Sequence, residues 1–182
     1  MENTTNWKQR LPIVSAIIGL MVVLDQWTKH WAANKFTLDH IPDEKYWDGF
    51  FSFNLVHNPG AFLSLGANFP DWLRMLLLNI FPAILLVGML IYILRSTSLD
   101  KWMIIGLSMI VGGGLSNIVD RIWSGYVVDF MHMKVFGLQT GIFNVADLAI
   151  VFGMIFLIPS MFKGDPKKED VALAEEADGG ED

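Results

Sequence analysis

Residues Trp102–Trp123 read WMIIGLSMIVGGGLSNIVDRIW. The stretch carries no charge before Asp120 and has a tryptophan at each end. A transmembrane helix needs about 20 mostly apolar residues, and tryptophan favours the membrane–water interface. The stretch therefore reads as a membrane span. Composition agrees. The chain has 182 residues, 53% hydrophobic and 18% charged, and its mean hydropathy is +0.42. A soluble domain runs about 45–50% apolar and about 25% charged. The absence of cysteine excludes disulfides, a thiol nucleophile and any thiolate-bound metal.

Three further spans flank this one. They are Leu11–Ala33, interrupted by Asp25, Lys29 and His30; Trp72–Leu94, with Arg74 and Pro82; and Gly141–Phe162, with Asp147 inside. Lys8 and Arg10 precede the apolar run Leu11–Leu24, a pattern shared with cleaved leader segments, but no small-x-small site follows. That run is therefore expected to stay as a span. Lys8, Arg10, Arg95, Lys101, Lys163, Lys167 and Lys168 flank one side of the set, so the positive-inside bias places both termini in the cytoplasm. The expected architecture is an all-α membrane protein, a four-transmembrane-helix bundle over residues 1–162.

Its loops carry more detail. Asn34–Asp71 is too long for a bare bundle connection. Within it, Phe51-Ser52-Phe53-Asn54-Leu55 alternates as a strand does, and Asn58-Pro59-Gly60 reads as a turn. A small extracytoplasmic β-sheet on the membrane surface fits. Ser124–Thr140 is the second outer segment. Residues 163–182 hold eight acids and three lysines, which supply −5 of the net charge of −6. They read as a disordered acidic cytoplasmic tail. The body is almost neutral, so no basic footprint for nucleic acid exists.

Consecutive spans run antiparallel. The end of the first, the start of the second, the end of the third and the start of the fourth therefore share one side. Asp25, Lys29, Arg74, Asn79, Asn117, Asp120, Arg121, Asn144 and Asp147 all fall there. At a rise of about 1.5 Å per residue, Asp147 lies roughly 9 Å and Asp25 roughly 12 Å inside their span ends. A charge at such depth costs roughly 2–3 kcal/mol, so the cluster marks a site facing the bundle interior. Asp25 and Lys29, spaced i,i+4, can pair on one face, which suits a structural role as well as a catalytic one. Asp129 and Asp147 have no cation close in sequence, apart from His132 three residues after Asp129. Two such carboxyl groups brought together share a proton, one serving as acid and the other as base. The alternative is an Asp129 that caps a helix and an Asp147 that pairs with Arg121.

Other features are weaker. Gly112-Gly113-Gly114 permits close helix approach. His30, His40, His57 and His132 show no metal-ligand spacing, and neither metal nor cofactor is expected. Ser116 lacks an intramembrane histidine partner for a serine protease. A proton-coupled transporter would also use intramembrane acids, but repeated halves and midplane acids are missing, and a membrane scaffold leaves the acids unexplained.

Five stretches together resemble lipoprotein signal peptidase, the signal peptidase II family. They are Leu24–Lys29 (LDQWTK), Phe53–Phe62 (FNLVHNPGAF), Gly112–Arg121 (GGGLSNIVDR), Val127–Phe130 (VVDF) and Phe143–Asp147 (FNVAD). The resemblance spans roughly residues 10–160. It implies an aspartic endopeptidase of the bacterial cytoplasmic membrane, with its site toward the outer leaflet. It also implies prolipoprotein substrates whose lipobox cysteine already carries diacylglycerol, cut just before that cysteine. Asp129 and Asp147 match the family's catalytic pair. Asn117, Asp120, Arg121, Asn144, Asp25, Lys29, Asn54 and Asn58 match its supporting positions. The implied fold is four transmembrane helices, a small extracytoplasmic sheet and a short helix in the second outer loop. Membrane lipids are the expected surroundings and a monomer the expected state. Ser116 stands where the family often has glycine, and Pro59 interrupts an asparagine–glycine–alanine run. Both departures bear on substrate preference.

Overall fold

The computed structural model describes residues 7–38, 44–61 and 65–162. The acidic tail expected over 163–182 lies outside the described residues. Among the described residues, four helices and four strands follow in the order α1 (Trp7–Lys35), β1 (Glu44–Tyr46), β2 (Phe51–Asn58), α2 (Asp71–Arg95), α3 (Lys101–Ser124), β3 (Val127–Val135), β4 (Leu138–Gln139) and α4 (Val145–Met161). Three helices, α1, α2 and α3, are long and apolar enough to cross a membrane. The fourth, α4, is apolar but only 17 residues long, about 26 Å at the helical rise. It starts four residues later than the hydropathy suggests. Phe143 bridges to Met131 of β3 instead, so the helix begins only after the cap residue Asn144.

The helix α3 is the centre of the bundle. Its three consecutive glycines face three different helices. A methyl group at Gly112 would strike Met21 and Ile18 of α1, one at Gly113 the Ala146 carbonyl of α4, and one at Gly114 the Leu86 side chain of α2. Small residues at these contacts let backbones approach closely, which is how helices associate in lipid. Near the other end, Val14, Ile93, Leu99, Leu107 and Val111 form a buried apolar cluster. There the buried Arg10 donates to the carbonyls of Ile93, at 3.0 Å, and Ser96. Its guanidinium thus satisfies the orphan carbonyls that close α2. In α2 the turn Leu76–Ile80 is π-helical. Pro82 lacks an N–H for the Leu78 carbonyl and its ring crowds that turn, which widens it.

The four strands form one antiparallel sheet in the order β1-β2-β3-β4. The register pairs Val56 with Asp129 and Asn58 with Val127, and an irregularity falls between Phe53 and Val56. The short helix expected in the second outer loop is not there. Val127–Val135 is a strand, turned by Phe136-Gly137 into β4. Both turn residues have positive φ, 46° and 83°, the geometry of a tight two-residue hairpin. The sheet packs on the helices through Phe53, which stacks on Phe36 at 5.0 Å and on Phe130 at 6.3 Å. Ala32, Phe36, Leu55, Phe130 and Met131 complete that core. The sheet thereby holds β3 against the ends of α1 and α3 and the start of α4.

Candidate active site

Two polar layers meet at this end of the bundle. The inner layer is ionic. Lys29 lies 2.6 Å from Asp25 and 2.7 Å from Asp120, and all three are buried. One ammonium thus serves two carboxylates, and Lys29 also donates to the Asn117 side-chain oxygen at 3.0 Å. Asp25 accepts from the Ser116 hydroxyl at 2.7 Å and from the Ala146 N–H at 2.8 Å. The first turn of α4 leaves backbone N–H groups without helical partners, and Asp25 satisfies one of them from another helix. Gln26 donates to Ser116 at 3.0 Å and to Asp120 at 2.7 Å. The i,i+4 pairing of Asp25 and Lys29 is therefore present, within a larger ion cluster.

The outer layer holds its two acids with amides. Asp129 is 4% exposed. It accepts from the Asn58 amide at 2.9 Å and from the Asn144 amide at 2.7 Å. Asp147 accepts from the Asn117 amide at 3.0 Å and from the Asn144 backbone N–H at 3.1 Å. Asn144 is fully buried and joins the two acids. Its side-chain oxygen caps α4 by accepting from the Asp147 N–H at 2.9 Å, completing a capping box. Its amide also donates to the Asn117 oxygen at 3.1 Å. Asn117 is the joint between layers, because it touches Lys29, Asn144 and Asp147.

Neither alternative role read from the sequence holds. Asp129 sits in β3, and the cap of α4 is Asn144. Arg121 makes no ion pair with Asp147. Its guanidinium donates to the Gly60 carbonyl at 2.8 Å and the Asn117 carbonyl at 3.3 Å. Asp129 and Asp147 instead line one cavity of about 60 Å³ with Asn58, Asn117, Arg121 and Ile142. A water needs about 10–15 Å³ measured this way, so the cavity admits solvent between the acids. Burial pushes the Asp129 carboxyl up to about 7. The Asn58 and Asn144 hydrogen bonds and the Lys29 charge oppose that rise, while the Asp147 charge adds to it.

Beside Asp147 a cleft of about 420 Å³ opens, lined by Met133, Phe143, Leu148, Ile150 and Val151. Among the residues marked in the sequence, Asn54 is buried but bonds only Ser52, at 3.2 Å. Arg74 pairs with Asp71, and Asn79 reaches only the Met75 sulfur, at 3.5 Å. Arg74 and Asn79 stand apart from both layers. Gln26 and Ser116 enter the network with no role read from the sequence. Their one sequence signal is polarity beside Asp25 and Asn117 in otherwise apolar helices. Among the described residues no group of acids and histidines could hold a metal ion.

Residues 17–163 match the family described as signal peptidase (SPase) II. The chain belongs to the signal peptidase II family. It is therefore a multi-pass membrane protease of lipoprotein processing. Similar relatives include the lipoprotein signal peptidase of Syntrophus aciditrophicus, 33% identical over 86% of this chain and 98% of its own length. That of Nostoc sp. is 35% identical over 88% and 94%. The one from Streptococcus pneumoniae is 30% identical over 83% and 93%. Two solved structures, each described as a bacterial membrane enzyme, share the fold. One has a TM-score of 0.72 at 26% identity, covering 85% of this chain and 95% of its own. The other has 0.70 at 25%, covering 82% and 87%.

Proposed function

We propose that this member of the signal peptidase II family is an aspartic endopeptidase with Asp129 and Asp147 as its catalytic pair. Its substrates are prolipoproteins whose cysteine carries diacylglycerol, and it cuts just before that cysteine. One observation carries the reading: both carboxyl groups line a single small cavity that admits water and are held by amides, with no ion pair to either among the described residues. A carboxyl pair with no direct ion-pair partner retains a shared proton near neutrality. Asp129, raised to about 7, is the protonated member, and Asp147 is the base.

In the reaction, Asp147 takes a proton from water as the oxygen adds to the scissile carbonyl carbon. Asp129 donates its proton to the carbonyl oxygen. Collapse of the tetrahedral diol returns one hydroxyl proton to Asp129 and breaks the C–N bond, while the proton held by Asp147 passes to the leaving amine. Asn58, Asn117 and Asn144 are positioning residues that hold the two carboxyls. Asp25, Lys29 and Asp120 fix α1, α3 and the start of α4 beneath them. Arg121 holds the turn at Gly60, two residues beyond Asn58, and Asn54 supports the bend in β2. The apolar cleft beside Asp147 suits the acyl chains of the substrate, which stay in the bilayer while the peptide bond reaches the acids.

The site stands toward the outer leaflet of the cytoplasmic membrane, with both termini inside and α4 as a short fourth span. Every group comes from one chain, so a monomer suffices. Gel-shift assays on a lipidated prolipoprotein test the assignment. Asp129→Asn and Asp147→Asn should each abolish processing while the protein still inserts. Normal cleavage by either variant overturns the pair.

A further inference from the structure

A second polar cavity, of about 190 Å³, lies on the far side of Arg121 between the start of α2 and the end of α3. Arg74, Asn79, Arg121, Asp71, Pro59 and Gly125 line it. Two of its groups are unsatisfied. The side-chain oxygen of Asn79, a residue only 8% exposed, accepts no hydrogen bond. The Arg121 Nε–H is buried and donates to nothing. Arg121 also has no carboxylate within ion-pair range, since its other nitrogens reach only backbone carbonyls. Asp129 and Asp147 share its other cavity but neither pairs with it directly, and a guanidinium at membrane depth without a direct ion pair is costly and marks a site. Arg74 supplies a second guanidinium, paired with Asp71, whose side chain is 92% exposed and free to swing into solvent.

Depth identifies the occupant. The cavity opens where two antiparallel helices end on the same side. Trp72 and Trp123, both largely exposed, stand close in sequence to the lining residues Asp71 and Gly125, and tryptophan favours the headgroup level. We propose that this cavity binds the head group of a bilayer phospholipid. Its phosphodiester would lie between Arg74 and Arg121, and a donor on its head group would reach the Asn79 oxygen. Guanidinium groups match phosphate oxygens in geometry and charge. The acceptor at Asn79 selects an ethanolamine or glycerol head group, which carries N–H or O–H donors, over choline, which carries none. The π-helical turn of α2 contains Asn79, and such turns often present functional side chains. This reading does not depend on which residues cleave the substrate.

The test uses the full chain, purified in detergent and stripped of lipid. Short-chain phosphatidylglycerol, phosphatidylethanolamine, phosphatidylcholine and inorganic phosphate are added separately. Binding is read by native mass spectrometry and by the thermal melting temperature. Phosphatidylglycerol and phosphatidylethanolamine should bind and raise the melting temperature, with phosphatidylcholine weaker. Arg74→Gln should bind both about tenfold more weakly, the loss expected for one charge-assisted hydrogen bond. Asn79→Leu should erase the preference over phosphatidylcholine. Unchanged affinity in Arg74→Gln overturns the site, and that variant decides alone if Asn79→Leu fails to fold. Equal binding of inorganic phosphate overturns the lipid as occupant.

Discussion

Asn144 carries two loads that can be separated. Its oxygen caps α4 through the Asp147 N–H at 2.9 Å, and its amide donates to Asp129 at 2.7 Å and to Asn117 at 3.1 Å. Asn144→Ala removes both, whereas Asn144→Ser keeps a capping oxygen and removes the amide donor. Loss of an N-cap costs about 0.5–2 kcal/mol. Leaving buried acceptors without a donor costs about 1–3 kcal/mol. The alanine variant should therefore melt below the serine variant, and the serine variant below wild type, with steps of order 1 kcal/mol or more. The acid chemistry should move separately. The amide stabilises the ionised form of Asp129, so its loss raises the carboxyl further above its position near 7. A charged hydrogen bond of about 1.5 kcal/mol corresponds to about one pH unit. Because Asp129 acts as the acid, cleavage by Asn144→Ser should persist to higher pH, its alkaline limb shifted up by about that amount. The assay is a pH–rate profile on a lipidated prolipoprotein in micelles, beside thermal melting. An alkaline limb that moves down, or stays put while Asn144→Ala melts like wild type, refutes the two-load reasoning.

Three further outcomes follow from the geometry. Lys29→Met should be among the most damaging substitutions, by about 3–5 kcal/mol, because it strands Asp25 and Asp120 as buried uncompensated charges; a melting curve equal to wild type rejects the ion cluster as a support. Gly113→Ala should destabilise by about 1–3 kcal/mol, since the methyl meets the Ala146 carbonyl, while Gly88→Ala, with open space around it, should not; comparing the two variants in one detergent checks this. Asp129 ties stability to pH: its folded position near 7 lies above the ordinary 3.8, so the folded state keeps a proton that the unfolded chain has lost. The contribution of Asp129 to stability should be fullest below about pH 4 and should be lost as pH rises through 7. In Asp129→Asn that slope should flatten, as read by denaturation across the pH range.

Hydropathy located α1, α2 and α3 to within a few residues, because a span's length and polarity are local properties. It misplaced the start of α4, because the pairing of Phe143 with Met131 is a contact with a strand that no window over 141–162 contains. The expected helix in the second outer loop came from resemblance, against local chemistry that favours a hairpin. Val127 and Val128 are β-branched, and Phe136-Gly137 is a two-residue turn. The convergence of Asp25, Lys29, Asn117, Asp120, Asn144 and Asp147 was legible because alternating span direction fixes which ends meet. Partner choice was not legible. Arg121 lies one residue from Asp120, yet its cation reaches the Gly60 carbonyl. Asn79 looks like a member of the cluster, but the widened turn of α2 aims it at a separate cavity.

The division into an ionic layer and an amide layer has a chemical consequence. Lys29 is the cation linked to the acids through Asn117, and Asp25 and Asp120 already claim it twice. Had it paired directly with Asp147 or Asp129, that acid would be held ionised and unable to share a proton. Asn117 prevents this by standing between. Its oxygen accepts from Lys29, and its amide donates to Asp147, so the ammonium orients the acid without touching it. Asn117→Asp should break the arrangement while changing one atom group. The new carboxylate replaces the amide oxygen with a third anionic acceptor for Lys29 and faces Asp147 with an oxygen where a donor stood. Repulsion should push a proton onto the pair at pH values where wild type has a free base. Activity should fall, and the acidic limb of the pH–rate profile should move upward. Melting should change less than in Lys29→Met, because Lys29 keeps its partners. If Asn117→Asp leaves the acidic limb in place and instead unfolds the chain, Asn117 is a structural link and not the group that separates the cation from the acids.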